Sequence, residues 1–194
     1  MKMGSAVGAN LVDMNQVQVH PTGLVHPKDP DAKVKFLAAE ALRGVGGLML
    51  DKNGHRFVNE LGTRDYVSGV MFNVNKPPYR LILNSASGKE IEWHCKHYQG
   101  RGLMKHFTSG AEFAKDMGVS VEVLKKTFDE YNQFAKAGND PFGRKFFQNL
   151  PWKIEDSFWV AVISPVVHYC MGGLQITPGG AYACSQFART CVAV

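Results

Sequence analysis

The chain has 194 residues, of which 45% are hydrophobic and 20% are charged. These proportions are typical of a globular protein, and the length is sufficient to bury a hydrophobic core within one domain. No run of about 18 apolar residues occurs, so the sequence predicts no transmembrane helix. The formal net charge is +5, but the 22 basic residues are dispersed, which argues against a nucleic-acid-binding surface.

The cysteines predict neither a metal site nor a redox motif. No two of them form the Cys-x-x-Cys pair that zinc sites and thioredoxin-like sites use. Reduced thiols are therefore favoured over disulfides, which fits an intracellular protein. The four are Cys95, Cys170, Cys184 and Cys191.

The first predicted elements lead to a histidine and then to a helix. An apolar pattern predicts a strand that runs into His20 and is ended by Pro21 and Gly23. Residues 24–30 are predicted as a loop. Residues 31–43 are rich in Ala, Leu, Lys and Glu, and this composition predicts a helix.

The rest of the chain has clearer patterns, and it groups helices and strands instead of alternating them. The grouping predicts an α+β fold with a small sheet rather than a doubly wound one. The further predicted elements are a hairpin with strands 47–50 and 55–58, a helix over 64–74 that follows Thr63, a strand at 79–83, helices over 88–98, 109–117 and 121–137, and a buried strand at 158–163.

Four short segments carry side chains suited to chemistry. They are His-Pro-Thr-Gly at 20–23, Glu-Ala-Leu-Arg-Gly at 40–44, Thr-Arg-Asp at 63–65 and His-Tyr-Cys-Met-Gly-Gly at 168–173. Each also has a plain structural interpretation. On spacing alone, Glu40 and Arg43 are more often a surface ion pair, and Arg64 is a helix-start residue paired with Asp65.

In this order, the segments resemble the fumarate reductases of the flavin-dependent fumarate reductase and succinate dehydrogenase superfamily. The resemblance covers about residues 10–176. Residues 35–44 are most similar to NADH-dependent fumarate reductases like those of trypanosomatid protists. The resemblance implies an FAD-dependent oxidoreductase that converts fumarate to succinate with electrons from NADH. Its implied location is a mitochondrion or another organelle such as the glycosome, or otherwise the cytoplasm.

The same resemblance implies which side chains act. Arg64 would be the proton donor, and Glu40 and Arg43 would form the relay that returns its proton. His20 would bind one substrate carboxylate and His168 the other.

The resemblance also implies a domain assignment. Residues 1–176 would be the mobile domain that caps the substrate, with short flanks of the flavin domain, and 177–194 an irregular or truncated tail. Gly172 and Gly173 would permit close approach of the backbone to the flavin.

The sequence departs from the family pattern in three ways. Ala39 stands where the family often has a serine or threonine that holds a substrate carboxylate. The surroundings of Arg189 do not match those of a second substrate-clamping arginine. No Gly-x-Gly-x-x-Gly fingerprint occurs. We therefore expect the flavin-binding half to lie outside this chain, FAD to belong to the intact enzyme rather than to this chain alone, and the isolated chain to be inactive.

Two alternatives stay open. One is a fragment of a succinate dehydrogenase flavoprotein or an L-aspartate oxidase, which runs similar chemistry toward oxidation. The other is a non-catalytic interaction module that kept the fold. If the capping domain folds on its own, its flavin-facing surface is exposed, and association of two copies through that surface is expected.

Overall fold

The computed structural model describes residues 1–181, which fall into two compact units. One unit contains Met1–Val19 and residues 167–181, and the other contains His20–Val166. Residues 182–194 lie outside the described part of the chain, and with them Cys184, Arg189, Cys191 and most of the predicted tail.

Short helices and strands follow one another along the whole described chain. In chain order they are α1 (Lys2–Ala6), β1 (Leu11–Val12), β2 (Val17–Leu24), β3 (Phe36–Leu37), α2 (Ala41–Gly44), β4 (Leu48–Leu50), α3 (Arg64–Val74), β5 (Tyr79–Asn84), α4 (Ser85–Glu90), α5 (Glu92–Gly100), β6 (Lys105–Phe107), α6 (Gly110–Met117), α7 (Val121–Ala137), β7 (Phe158–Cys170) and β8 (Gly173–Leu174).

The smaller unit is built around one short pair of strands. β1 pairs with β8 in antiparallel register, with Leu11 opposite Leu174 and Val12 opposite Gly173. Helix α1 packs close by, since a Cβ at Gly4 would lie 2.7 Å from a methyl group of Leu174.

The larger unit is organised by a six-stranded sheet in the order β3-β2-β7-β5-β4, with β6 also paired to β7. The pairs β2–β3, β4–β5, β5–β7 and β6–β7 are antiparallel. All six residues of β5 are buried, because this strand has a partner on each side and helices on both faces.

Alternation along the central strands divides the core between the two faces of the sheet. Met49, Leu81 and Leu83 point to the face covered by α3 and α5, while Leu48 and Ile82 point to the face covered by α6 and α7. The second face carries a group of aromatic side chains, namely Phe113, Phe128, Trp152 and Phe158. Helices and strands around one sheet agree with the predicted α+β class.

Several predicted elements are confirmed. The helix at 64–74 begins at Arg64 with Thr63 as its N-cap, and the strand at 79–83 is β5. The predicted helices at 109–117 and 121–137 are α6 and α7. The predicted helix at 88–98 is broken at Ile91 into α4 and α5. The strand predicted at 158–163 is the first part of β7, which continues to Cys170.

Three predictions from the first third of the chain are wrong. The strand through His20 continues past Pro21 to Leu24. Proline is tolerated because β3 pairs only with Gly23 and Leu24, which leaves Pro21 with β7 alone beside it. The segment 55–58 makes one bridge, Leu50 with Arg56, and the partner strand of β4 is β5.

The third error is the helix over 31–43. This segment forms β3 and then the single helical turn α2, because tertiary contacts outweigh its helix propensity. The ring of Phe36 packs edge-on against Tyr98, and the hydroxyl of Tyr98 accepts a hydrogen bond from the backbone N–H of Ala39.

A buried group of four charged residues joins distant parts of the larger unit. The Glu60 carboxylate is fully buried and accepts hydrogen bonds from Arg56 (Nε 2.8 Å, Nη2 2.8 Å) and from Arg144 (Nη1 2.9 Å). Arg56 also donates to Asp140 over 2.6 Å. Burial opposes the Arg56 charge, but Glu60 and Asp140 outweigh it and raise the pKa of this guanidinium. The group is neutral as a set.

No helix within residues 1–181 is long and apolar enough to cross a bilayer.

We predict that Glu60→Gln destabilises the chain by about 3–5 kcal/mol, because it leaves two buried guanidinium groups without their shared carboxylate. Urea unfolding followed by circular dichroism measures the change. The matched control is Glu130→Gln on the exposed face of α7, where the carboxylate lies 3.9 Å from Lys126; we expect a change below about 0.5 kcal/mol. Equal effects of the two substitutions would contradict the structural importance of the buried group.

Candidate functional site

Arg64 is placed by the start of helix α3. Thr63 has an extended backbone, and its Oγ1 accepts a hydrogen bond from the N–H of Tyr66 over 3.4 Å, which caps the helix. Gly62 precedes it at a point where a Cβ would lie 2.4 Å from the ring of Tyr66, so a larger residue there would displace that ring. The side chain of Arg64 is 27% exposed.

Glu40 lies between two arginines. It occupies the N-cap position of α2. Its Oε2 accepts a hydrogen bond from Arg64 Nη2 over 2.8 Å, and its Oε1 accepts one from Arg43 Nη2, also over 2.8 Å. One carboxylate therefore joins two guanidinium groups that come from different elements.

Arg43 is the fixed end of this arrangement. Its side chain is 2% exposed, and its Nη1 donates to the backbone carbonyls of Glu60 (2.7 Å) and Gly62 (3.1 Å). Its Nε has no hydrogen-bond partner in the described part of the chain. Because Glu60 is itself held by Arg56 and Arg144, the buried charged group fixes the position of Arg43 indirectly.

The electrostatics of the three side chains are complementary. The hydrogen bond from Arg64 lowers the pKa of Glu40, and the charges of Arg43, Arg64 and His20 act in the same direction against the cost of burial. Burial lowers the pKa of Arg43, although Glu40 opposes the change. Glu40 is therefore held as a carboxylate between a buried guanidinium that releases its proton more readily than usual and a partly exposed one.

His20 belongs to the same unit and is buried in β2. Its Nδ1 accepts from the N–H of Thr22 over 3.3 Å and lies 3.1 Å from the Thr22 hydroxyl. Since Nδ1 acts as an acceptor, the neutral ring carries its proton on Nε2.

His168 lies in the smaller unit. Its Nδ1 is 3.1 Å from Gln18 Oε1, an acceptor, so Nδ1 carries a proton there.

The two glycines assigned to the flavin differ. A Cβ at Gly172 would lie 2.3 Å from the carbonyl oxygen of Val12, so packing within the smaller unit already requires this glycine. At Gly173 an added Cβ would meet no atom within 4 Å, and a planar group could approach the backbone closely there.

Sequence reasoning missed the residues that position Arg43. Arg56 and Glu60 stand four residues apart, and this spacing was an available signal, but Asp140 and Arg144 are about eighty residues away. Among the described residues, no three His, Cys, Asp or Glu side chains form a group that could hold a metal ion. Cys95 and Cys170 are free thiols, and burial raises the pKa of Cys95 to about 11.

Comparison with known families defines the class of protein. A family model described as an FAD binding domain matches residues 1–186. The chain therefore belongs to the FAD-binding-domain family of the fumarate reductase and succinate dehydrogenase flavoproteins.

Individual relatives agree with this assignment. The chain is 47% identical, over 176 residues, to a fumarate reductase of Schizosaccharomyces pombe, and 34% identical, over 178 residues, to fumarate reductase 1 of Saccharomyces cerevisiae. These matches cover 90% and 88% of this chain, but 34% and 38% of the relatives, so the chain spans about a third of their length. The structure of a flavocytochrome c3 fumarate reductase in its open conformation superimposes with a TM-score of 0.68 and 27% identity, covering 95% of this chain and 31% of that one.

We predict that Arg64→Ala raises the pH at which Glu40 titrates, as measured from its side-chain carboxyl ¹³C shift. In the folded chain the pKa of Glu40 lies below its ordinary value of 4.5, so the Arg64–Glu40 pair stabilises the fold above that pH and ceases to do so as the pH falls. Arg101→Ala is the control, since the Arg101 guanidinium lies over the ring of Phe36 instead. An unchanged midpoint in Arg64→Ala would contradict the pairing.

Proposed function

We propose that this chain supplies the substrate-reducing residues of a flavin-dependent fumarate reductase, which converts fumarate to succinate. The observation that carries the proposal is the continuous hydrogen-bonded series Arg64–Glu40–Arg43, with both links at 2.8 Å. Family membership and the names of the relatives support the same substrate.

The substrate is a dianion, and two histidines are proposed to receive its carboxylates. His20 is proposed to bind one of them; its Nδ1 accepts a hydrogen bond from the backbone N–H of Thr22. His168 is proposed to bind the other; its Nδ1 lies 3.1 Å from Gln18 Oε1.

FAD, when bound, supplies the hydride that adds to one alkene carbon. In this chain Gly173 is the residue whose open backbone fits contact with a planar ring. Addition of the hydride moves negative charge toward the other alkene carbon and its carboxylate, and cationic donors beside that carboxylate stabilise the transition state.

Arg64 then gives a proton to the second carbon, which completes succinate. A guanidinium is normally a very weak acid, but the developing carbanion is a far stronger base than water or a carboxylate. Glu40 and Arg43 return the proton to Arg64, with Glu40 as intermediary because each of its oxygens holds one guanidinium. Burial lowers the pKa of Arg43, and this favours release of its proton into the relay.

The names of the relatives favour reduction over the oxidative alternatives. Use of NADH as the electron source, the capping role of residues 1–176, the separate flavin-binding half and the cellular compartment stay predictions.

The role of Arg64 can be tested in a chimera in which this chain replaces the matching region of the Schizosaccharomyces pombe relative. We expect Arg64→Ala to lower fumarate turnover by at least about a hundredfold, because a positioned acid contributes that much or more. Flavin absorbance of the purified variant should be unchanged.

Arg101→Ala removes an exposed arginine outside the series and serves as the matched control, with turnover retained. If Arg64→Ala retained more than about a tenth of the turnover of the flavin-loaded chimera, a general-acid role would be excluded.

The cofactor prediction has its own measurement, a titration of the purified chain with FAD followed by flavin fluorescence. We expect no stoichiometric complex, since the sequence lacks a dinucleotide fingerprint. Tight binding at one FAD per chain would contradict the expectation that the flavin-binding half lies elsewhere.

A further inference from the structure

Arg80 is a cation within an otherwise apolar central strand. It lies on β5 opposite Leu50 and Val162, and alternation places it on the same face as Ile82. Its exposure is only 7%, yet Nε and Nη1 have no hydrogen-bond partner in residues 1–181. Burial lowers its pKa, although the charge of Asp116 opposes the change. An unpaired buried guanidinium is costly, and such groups normally have an anionic partner.

A cavity adjoins this guanidinium. Along one edge, strand β7 pairs first with β6 and farther on with β2. Strand β6 begins at Lys105, and β2 ends at Leu24. The cavity lies where these two strands stop, and its volume is about 330 Å³. Its lining includes Arg80 together with Val25, Pro30, Leu103, Val160 and Val162. This size and this mixture of apolar walls with a few polar groups are typical of small-molecule sites.

The charges around the cavity leave one positive charge in excess. Lys105 and Asp116 also line it, but their side chains pair with each other over 2.6 Å. Asp116 therefore has its own cation, and within residues 1–181 it satisfies neither Nε nor Nη1 of Arg80. What remains is one guanidinium, two of whose nitrogen atoms have no hydrogen-bond partner in residues 1–181, beside an apolar wall.

We propose that this cavity binds a small monocarboxylate with a short apolar body. Its carboxylate would accept hydrogen bonds from the guanidinium of Arg80, and its hydrocarbon part would lie against Val25, Val160 and Val162. A planar guanidinium and a carboxylate match in geometry, and pairing removes the cost of leaving the buried charge unsatisfied. A single excess charge and apolar walls favour a monoanion over inorganic phosphate.

The site is separate from the proposed reducing residues. None of the residues that line the cavity belongs to the Arg64–Glu40–Arg43 series or includes His20. Occupation of the cavity is thus a second binding function of the larger unit and does not depend on fumarate reduction.

The test is a titration of the ¹⁵N-labelled chain with butyrate, observed in ¹H–¹⁵N spectra. We expect saturable shifts at the amides of Val162 and Leu103, with a Kd on the order of 1 mM for so small a ligand. Butyramide has nearly the same shape without the charge, and phosphate has charge without the hydrocarbon; both should bind at least about tenfold more weakly. Equal binding of either one would overturn the assignment.

Two kinds of variant locate the site. Arg80→Met keeps an unbranched apolar side chain and removes the charge, so it should stay folded and weaken butyrate binding at least about tenfold. Arg80→Lys keeps the charge and should weaken butyrate binding less than Arg80→Met does. If Arg80→Met does not fold, butyrate binding by Arg80→Lys tests the site instead. Arg64→Ala should bind butyrate normally. Normal binding by both Arg80 variants, or loss of binding in Arg64→Ala, would refute the proposal.

Discussion

The larger unit depends on one fully buried carboxylate, that of Glu60. Its carboxylate oxygens accept three hydrogen bonds from two guanidinium groups and one from the backbone N–H of Met49, and its backbone carbonyl accepts another from Arg43. A carboxylate buried in this way is tolerated only where cations and hydrogen-bond donors satisfy its oxygens. The same residue therefore contributes to the core through its side chain and to the candidate site through its backbone.

The side chains of the proposed proton series differ in burial. Arg43 is held by two backbone carbonyls and is 2% exposed, whereas Glu40 is 51% exposed and Arg64 27%. Fixing a long side chain in one rotamer costs conformational entropy, and in this series that cost falls mainly on the buried side chain of Arg43. The end proposed to return the proton is thus buried, and the end proposed to meet the substrate is partly exposed.

The sequence predicted the members of the candidate site better than it predicted their surroundings. Glu40, Arg43 and Arg64 were identified from short segments in a recognisable order, and the i, i+3 pair forms even though the helix predicted around it is one turn long. The buried group was missed because Asp140 and Arg144 meet Glu60 and Arg56 only through the fold. The unusual position of Arg80 could be recognised from the sequence, because the run Tyr79–Leu83 is otherwise apolar and an arginine is rarely buried in a core strand. The segment 31–43 failed because contacts with Tyr98, on another helix, decided its backbone.

The sequence separation of 84 between Glu60 and Arg144 also bears on the order of events during synthesis. Every residue of the Arg64–Glu40–Arg43 series has left the ribosome well before the segment with Asp140 and Arg144 appears. Until then Arg56 and Glu60 have only each other, and closing so long a loop has an entropic cost that local contacts do not offset. A nascent chain that does not yet include Arg144 would thus present the three side chains of the series without the backbone frame that aligns them.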